Sequence, residues 1–442
     1  MHFLTANEDS RLRFWARVRE FAVPPSMIES ATARRVAGDW AGACAAARVD
    51  VDLNLRAVRR THGHGLAAQV RADLRQLAPD LLRWHFPRIG PAGLLRPGLT
   101  VSLARYGSPA DRGAIHLVAR TPPAWADAGQ RISLALWVPS QRAAGLHPHP
   151  RPDRRFRLDL HRHLWDVRRA GELRERAGPR PPEGRLARDR IPAGVGACAV
   201  DRWLAEAALL LRAEGRGGDV VAVRLTSRHR LLLNLGSPGE AADGRAAPVL
   251  PDAATWVLPD LELLHAGLID AGRLHPLVAS ALRPAYRPVD AARNPDGASN
   301  TRLVECRGAP HRIGVVNGVL VPLDHDAGEI RREELLGALG GTELPCLRAI
   351  DEAHRHPESL VDVRARLDHG DTAGALAAVE GLLGPDVLLR SGALRDELET
   401  AVRRQVAHGL YRAGLAGYGP PPSTRDTVRR ARRTRPRHAT CH

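Results

Sequence analysis

The chain is 442 residues long, 44% hydrophobic and only 4% aromatic, with a formal charge of +16 in which all 65 basic residues are arginine. Its length exceeds what one small core uses and predicts about two to four folding units, packed mostly with Leu, Val and Ala around scarce Trp anchors. The absence of lysine excludes phosphate-loop and kinase lysines, Schiff-base and pyridoxal chemistry, and Ser-Lys dyads.

The charge is unevenly placed: residues 51–200 are basic, 351–400 acidic and 401–442 strongly basic. Such blocks hold nucleic acid, an anionic surface or an acidic partner, or pair with one another. Cys44, Cys198, Cys306, Cys346 and Cys441 are dispersed, odd in number and free of any C-x-x-C pair, so neither a disulfide framework nor a zinc knuckle is expected. The N-terminus lacks a signal-peptide core and no apolar run has the length of a membrane span, which predicts a cytoplasmic protein without a transmembrane segment.

In chain order, "PPSMIESATARRVAGD" predicts a helix with Ser26 and Glu29 as a capping box and Gly38 as its left-handed stop. Asp39 then caps a second helix with the stripe Trp40, Cys44, Ala47, Val51, Leu55 and Val58, and a third follows on Leu66, Val70, Leu74, Leu77 and Leu81. Beyond these the period changes to two. "LTVSLARY", "AIHLVAR", "RISLALWV" and "RFRLDLHRHLW" predict a four-stranded antiparallel meander, with Leu99, Val101, Leu103, Leu117, Ile132, Leu134, Phe156 and Leu158 on its core face. A Pro/Gly-rich, charged linker covers 169–197. After it come a helix at "AVDRWLAEAALLLRAE", strands at "VVAVRL" and "RLLLNL", helical pieces at "LELLHAGLI" and "LHPLVASAL", and a hairpin turning at Asn317-Gly318.

Near the C-terminus "GDTAGALAAVEGL", from Gly370, repeats the plan of "GDWAGACAAARVD", from Gly38: glycine ends one helix, aspartate caps the next, and small residues let the pair approach. A last helix carries Leu394, Leu398, Val402, Val406 and Leu410, and the tail from Gly419 has nothing with which to build a core, so it is expected to be disordered. The expected organisation is α+β: a helical region 1–92, a β meander 93–168, the linker 169–197, an α+β region 198–325, a helical region 326–418 and the basic tail 419–442.

The two corners resemble the middle of a tetratricopeptide-type helical hairpin, in which a Gly-Asp-aromatic turn joins two helices and alanine follows. Gly38, Asp39, Trp40 and Ala43 match that pattern, and Gly370, Asp371 and Ala375 match it with Thr372 in the aromatic place. The resemblance covers about twenty residues per copy and implies paired helices that meet a protein partner.

Three groups of residues carry candidate chemistry. On the predicted strand, Asp159, His161 and His163 project from one face, with His116 on a neighbouring strand, a donor set for a divalent metal such as zinc; the alternative is a solvated polar face. Asp324, His325 and Asp326 at the hairpin exit suit acid–base or metal work, whereas Asp326 with Glu329 also suits a helix cap. Cys306 with His311, or Cys198 at a helix start, has the make-up of a thiol nucleophile, set against the usual role of cysteine as a small buried group. In the tail, Arg429, Arg430, Arg432, Arg433, Arg435 and Arg437 can hold phosphates, without an aromatic for base stacking. No serine elbow, H-E-x-x-H helix or EF-hand loop occurs. The pattern predicts a non-enzymatic interaction protein, with a metal-dependent hydrolase and a nucleic-acid-associated protein as alternatives.

Overall fold

The structure, a computed structural model, describes residues 11–107, 113–140, 147–177, 191–192, 195, 197–215, 218–236, 247–282, 302–306, 308–316, 319–339, 344–347, 358–383 and 393–415. The fold is α+β, with helices at both ends of a middle containing small, mainly antiparallel sheets. Contacts divide the chain into two units: Met1–Arg287 with Arg404–His442, and Pro288–Arg403.

In unit one, α1 (Pro25–Val36) starts differently from the expected capping box. Pro25 occupies the first turn, where its missing N–H leaves nothing unsatisfied, and the carbonyl of Pro24 accepts from the amides of Met27 (3.0 Å) and Ile28 (3.3 Å). No side chain caps it. The corner after it is as the sequence predicts. Gly38 has φ +79°, the Asp39 amide donates to the Arg34 carbonyl (2.9 Å), and the Asp39 carboxylate accepts from the Gly42 amide (2.8 Å) and from Arg34 Nη1 (3.1 Å). The resulting α2 (Trp40–Ala46) is shorter than its stripe suggests. Arg48 takes φ +57°, and β1 (Val49–Val51) follows as a strand before α3 (Leu55–Arg75), which breaks at Gly63, and α4 (Pro79–His85). Val51 fits the helical spacing by coincidence; alternation within Val-Asp-Val satisfies the sheet edge instead.

That edge belongs to β4 (Ile132–Trp137), with which β1 pairs in parallel. β2 (Thr100–Tyr106), β3 (Ile115–Arg120) and β4 form the expected antiparallel meander, in the order β1-β4-β3-β2. The fourth predicted strand does not form. Residues 155–165 turn back on themselves into a 3₁₀ segment, Arg162–Leu164; Trp165 Nε1 donates to the Leu158 carbonyl (3.0 Å), so both side chains enter the core. Val101, Leu103, Leu117, Ile132 and Leu134 face the same core, together with Val70, Leu74, Leu77, Leu81 and Trp84 from the helices. Within the expected linker, Leu173–Ala177 is helical and Leu173 joins that core. A second cluster packs α5 (Trp203–Glu214) against the hairpin β5 (Val220–Arg224) and β6 (Arg230–Asn234) through Trp203, Leu210, Val221, Val223 and Leu250.

Unit two contains the antiparallel sheet β7 (Arg302–Cys306), β8 (Ala309–Val316) and β9 (Val319–Pro322). Val316 pairs with Val319, the register a two-residue turn at 317–318 requires, although those two positions lie outside the described residues. The helices α6 (Ala327–Ala338), α7 (Glu358–Asp368), α8 (Thr372–Leu383) and α9 (Ala393–Arg412) follow, α9 continuing into unit one. The α7–α8 corner repeats the first one atom for atom: Gly370 φ +81°, Asp371 amide to Arg366 carbonyl 2.7 Å, Gly374 amide to Asp371 Oδ1 3.1 Å, Arg366 Nη1 to Asp371 Oδ2 3.1 Å. The tail 419–442 lies outside the described residues, and among those described no helix is long and apolar enough to cross a membrane.

A Cβ added to Gly42 would stand 2.0 Å from Asp39 Oδ2, and one on Gly374 2.1 Å from Asp371 Oδ2. Gly374→Ala is therefore expected to cost unit two about 1 kcal/mol by displacing the cap. Gly42→Ala should act in the same direction on unit one, each read as a lower midpoint in urea denaturation with an unchanged slope.

Candidate metal centre

At the end of β7, Cys306 is fully buried beneath Leu344 and against Cys346, which lies on a helical turn at 345–347. His325, between β9 and α6, turns its ring inward until the side chain is 3% exposed. The ligand atoms of Cys306, His325 and Cys346 lie within 4.8 Å of one another, the one such group of three or more His, Cys, Asp or Glu among the described residues. His311, on β8, brings Nδ1 to 2.8 Å from His325 Nε2, adding a second imidazole at the margin of the cluster.

Local chain chemistry explains the convergence. The Asp324 carboxylate accepts from the Arg312 amide (2.7 Å) and from Arg312 Nη2 (2.6 Å), which clamps the segment after β9 back along β8. The Arg312 guanidinium holds that carboxyl down at about 2, so the clamp is ionised at any ordinary pH. Asp326 accepts from the Gly328 amide (3.1 Å) and caps α6, as expected. Of the loop triplet, therefore, Asp324 and Asp326 hold the backbone while His325 alone enters the cluster. Glu329 stands 3.4 Å from His325 Nδ1, a hydrogen-bonding partner on the ring's far side of the kind that fixes a metal-binding tautomer.

Burial, with the Cys306 thiol beside it, pushes Cys346 up to about 11. Two thiols and an imidazole within this radius form a soft donor set suited to a thiophilic divalent ion, and His311 would complete four-coordinate Cys₂His₂ binding. The ion would have to displace the Cys346 proton, because the thiolate is the ligand.

The other sequence-predicted residues sit elsewhere. Asp159 is gripped by Arg157, Nε to Oδ1 at 2.8 Å and Nη2 to Oδ2 at 2.7 Å. His161 hydrogen-bonds through Nδ1 to the Arg157 carbonyl (2.9 Å), and its Nε2 lies 3.2 Å from Glu206 Oε2. Burial pushes Glu206 up, but the contacts with His161 and Arg176 outweigh it and hold the carboxyl below its usual range. His163 is buried 5.9 Å from His161, ring to ring, and burial followed by the Arg176 charge keeps it neutral. His116 contacts Ser102 Oγ (2.8 Å) and is lowered to about 4 by burial. These side chains belong to a hydrogen-bonded interior network in unit one. Cys198 stands just ahead of the 3₁₀ turn Val200–Arg202, where its backbone forms a β-bridge with Trp256, and burial raises its thiol to about 11, opposite to the expected activation. Arg429, Arg430, Arg432, Arg433, Arg435 and Arg437 lie outside the described residues.

Cys346 is the ligand that sequence reasoning missed. The absence of C-x-x-C pairs drew attention away from a longer spacing, Cys306-x₄-His311 followed by His325 and Cys346, which the hairpin folds together. No protein-family model matches the chain, and no curated protein or solved structure matches it.

Loss of the clamp should loosen His325 without removing a ligand. Asp324→Ala is expected to weaken Zn²⁺ affinity by about tenfold or more while leaving the stoichiometry at saturation unchanged, as read by competition with a chromogenic chelator.

Proposed function

We propose that this is a non-enzymatic, zinc-binding interaction protein in which the ion organises unit two. The observation that carries the reading is the buried convergence of Cys306, His325 and Cys346 with His311 alongside. A catalytic zinc keeps an open position for water, whereas this donor set, with Cys306 and Cys346 both fully buried, suits a closed structural site. Zinc binding then contributes folding free energy to a small three-stranded sheet whose cluster, among the described residues, contains few side chains. Two reduced thiols fit a reducing compartment, in keeping with a cytoplasmic location. The repeated Gly–Asp helical corner, present once in each unit, supports a surface for a protein partner rather than a reaction centre.

Elemental analysis of the purified chain tests this directly. One zinc per chain is expected, lost in Cys306→Ser and Cys346→Ser, with Co²⁺ substitution giving sulfur-to-metal charge-transfer absorption in the parent only. A Cys306–Cys346 disulfide in protein prepared under reducing conditions, or metal content unaffected by either substitution, would overturn it. If the metal organises an interaction module, partners captured by proximity labelling should also disappear in both variants.

The pH dependence has a definite sign. Cys346, at about 11 without metal, is protonated throughout the neutral range, so binding releases its proton. Zn²⁺ affinity should therefore rise by about tenfold per pH unit for each displaced proton across pH 6–8, and proton release should appear in calorimetric titrations compared between buffers of different ionisation enthalpy.

A further inference from the structure

The outer face of the unit-one sheet carries a cleft whose charge is unbalanced. The strand registers align Asp50 with Ser133 and Ser133 with Arg120, placing all three in one row across β1, β4 and β3. Contacts from three residues hold the C-terminal segment of unit one over this row. His408 Nδ1 donates to the Ala126 carbonyl (3.0 Å), Tyr411 meets the Trp125 ring (5.5 Å between centroids), and Arg412 Nη1 pairs with Asp50 (2.7 Å). Between segment and sheet is a cavity of about 910 Å³ with a partly apolar lining that includes Ala135 and Leu136. That volume is in the range of small-molecule sites.

Both aspartates bordering the cleft are already paired. Asp50 takes Arg131 Nε (2.8 Å) as well as Arg412, and Asp52 takes Arg412 Nη2. Arg120 is the exception. It lines the same cleft and has no ion-pair partner among the described residues; its Nη2 reaches the Pro150 carbonyl at 3.5 Å, and its Nε is buried without a hydrogen-bond partner. His408 Nε2, also buried, is likewise unpartnered, and since Nδ1 is the donor to Ala126, Nε2 presents a lone pair. A half-buried guanidinium with no ion-pair partner, acted on only through space by an Asp52 already paired with Arg412, leaves the cleft with a net positive charge that suits an anion. Asp50 and Asp52 cannot provide one, being held by Arg131 and Arg412.

We propose that this cleft binds a small organic anion, a carboxylate or phosphate monoester on an apolar body, with the anion on Arg120 and the body against Ala135 and Leu136. This reading does not rest on the metal centre. The two anion classes share their recognition chemistry, since a guanidinium fork accepts either.

Full-length protein would be titrated calorimetrically with 1-naphthyl phosphate, 1-naphthoate and inorganic phosphate. Saturable binding of at least one naphthyl compound is expected, weakened tenfold or more in Arg120→Met, with the exposed Arg71→Met on α3 as the unaffected control. Arg120→Met should also melt at or above the temperature of the parent, because it removes a half-buried cation that has no ion-pair partner among the described residues. Ala135→Leu, which fills the apolar side and leaves Arg120 in place, should lose the naphthyl ligands while retaining whatever affinity the parent has for inorganic phosphate. The stronger of the two naphthyl ligands assigns the anion class. Failure of both to saturate at millimolar concentration, undiminished binding by Arg120→Met, or a lower melting temperature in that variant would each overturn the proposal.

Discussion

A carboxylate that receives a backbone amide and an arginine together is the contact on which the local architecture depends. Asp39 and Asp371 do this at the two helical corners, Asp324 at the metal-centre loop, and Asp166 where the chain leaves the 3₁₀ turn, taking the Arg168 amide (3.0 Å) with the guanidinium groups of Arg162 and Arg168. Each clamp satisfies an otherwise orphaned N–H and fixes the direction of the next segment. A guanidinium suits this task because its planar fork reaches a carboxylate edge while the other lone pairs remain for the amide; an ammonium is a point charge with no such geometry. A lysine-free chain can therefore use one device repeatedly.

The same chemistry fills the interior of unit one. Glu206 gathers His161, Arg176 Nε (2.9 Å) and Arg202 Nη2 (2.9 Å), while Asp260 accepts from Trp84 Nε1 (2.8 Å) and Asp80 meets His275 Nε2 (2.8 Å). Paired in this way, buried charges are held in place; removal of either partner would leave the other desolvated. Not every buried cation follows this pattern, since the fully buried Arg83 and Arg88 donate to the backbone carbonyls of Ala22 and of Gly93 and Arg83, and two further places stand out. In unit two the Cys306 and Cys346 thiols have each other and an imidazole for neighbours, and in unit one Arg120 has no carboxylate. In both, the protein supplies one half of an interaction, soft donors in the first case and a cation in the second, and the proposed other half is a metal ion or an anion.

Legibility followed the range of the forces involved. The Gly38–Asp39 and Gly370–Asp371 corners, the three meander strands and the Val316–Val319 register were readable because each rests on contacts within a few residues: a positive φ that glycine adopts freely, a cap that aspartate supplies, or a period of two. The segment 155–165 alternates just as cleanly, yet Trp165 gains more by entering the core than by staying in line, and the place beside β4 goes to Val49–Val51 from far upstream. Periodicity registers which side chains seek burial, but it is silent on which segment wins a position at a sheet edge.

The candidate site divides in the same way. His325 was singled out as a possible ligand and Asp326 as a helix cap, because a histidine between aspartates at a hairpin exit has few local uses and an aspartate ahead of a helix has a common one. Cys346 carried no such local mark. By itself the sequence determined the chemistry on offer: arginine as the sole permanent cation, thiols without neighbouring thiols, and aspartates at helix starts. Tertiary structure alone decided which of these meet, because a hairpin and a helical turn must fold before Cys306, His325 and Cys346 come within 4.8 Å, and a sheet must assemble before Arg120 is left facing a cavity with every nearby carboxylate already taken.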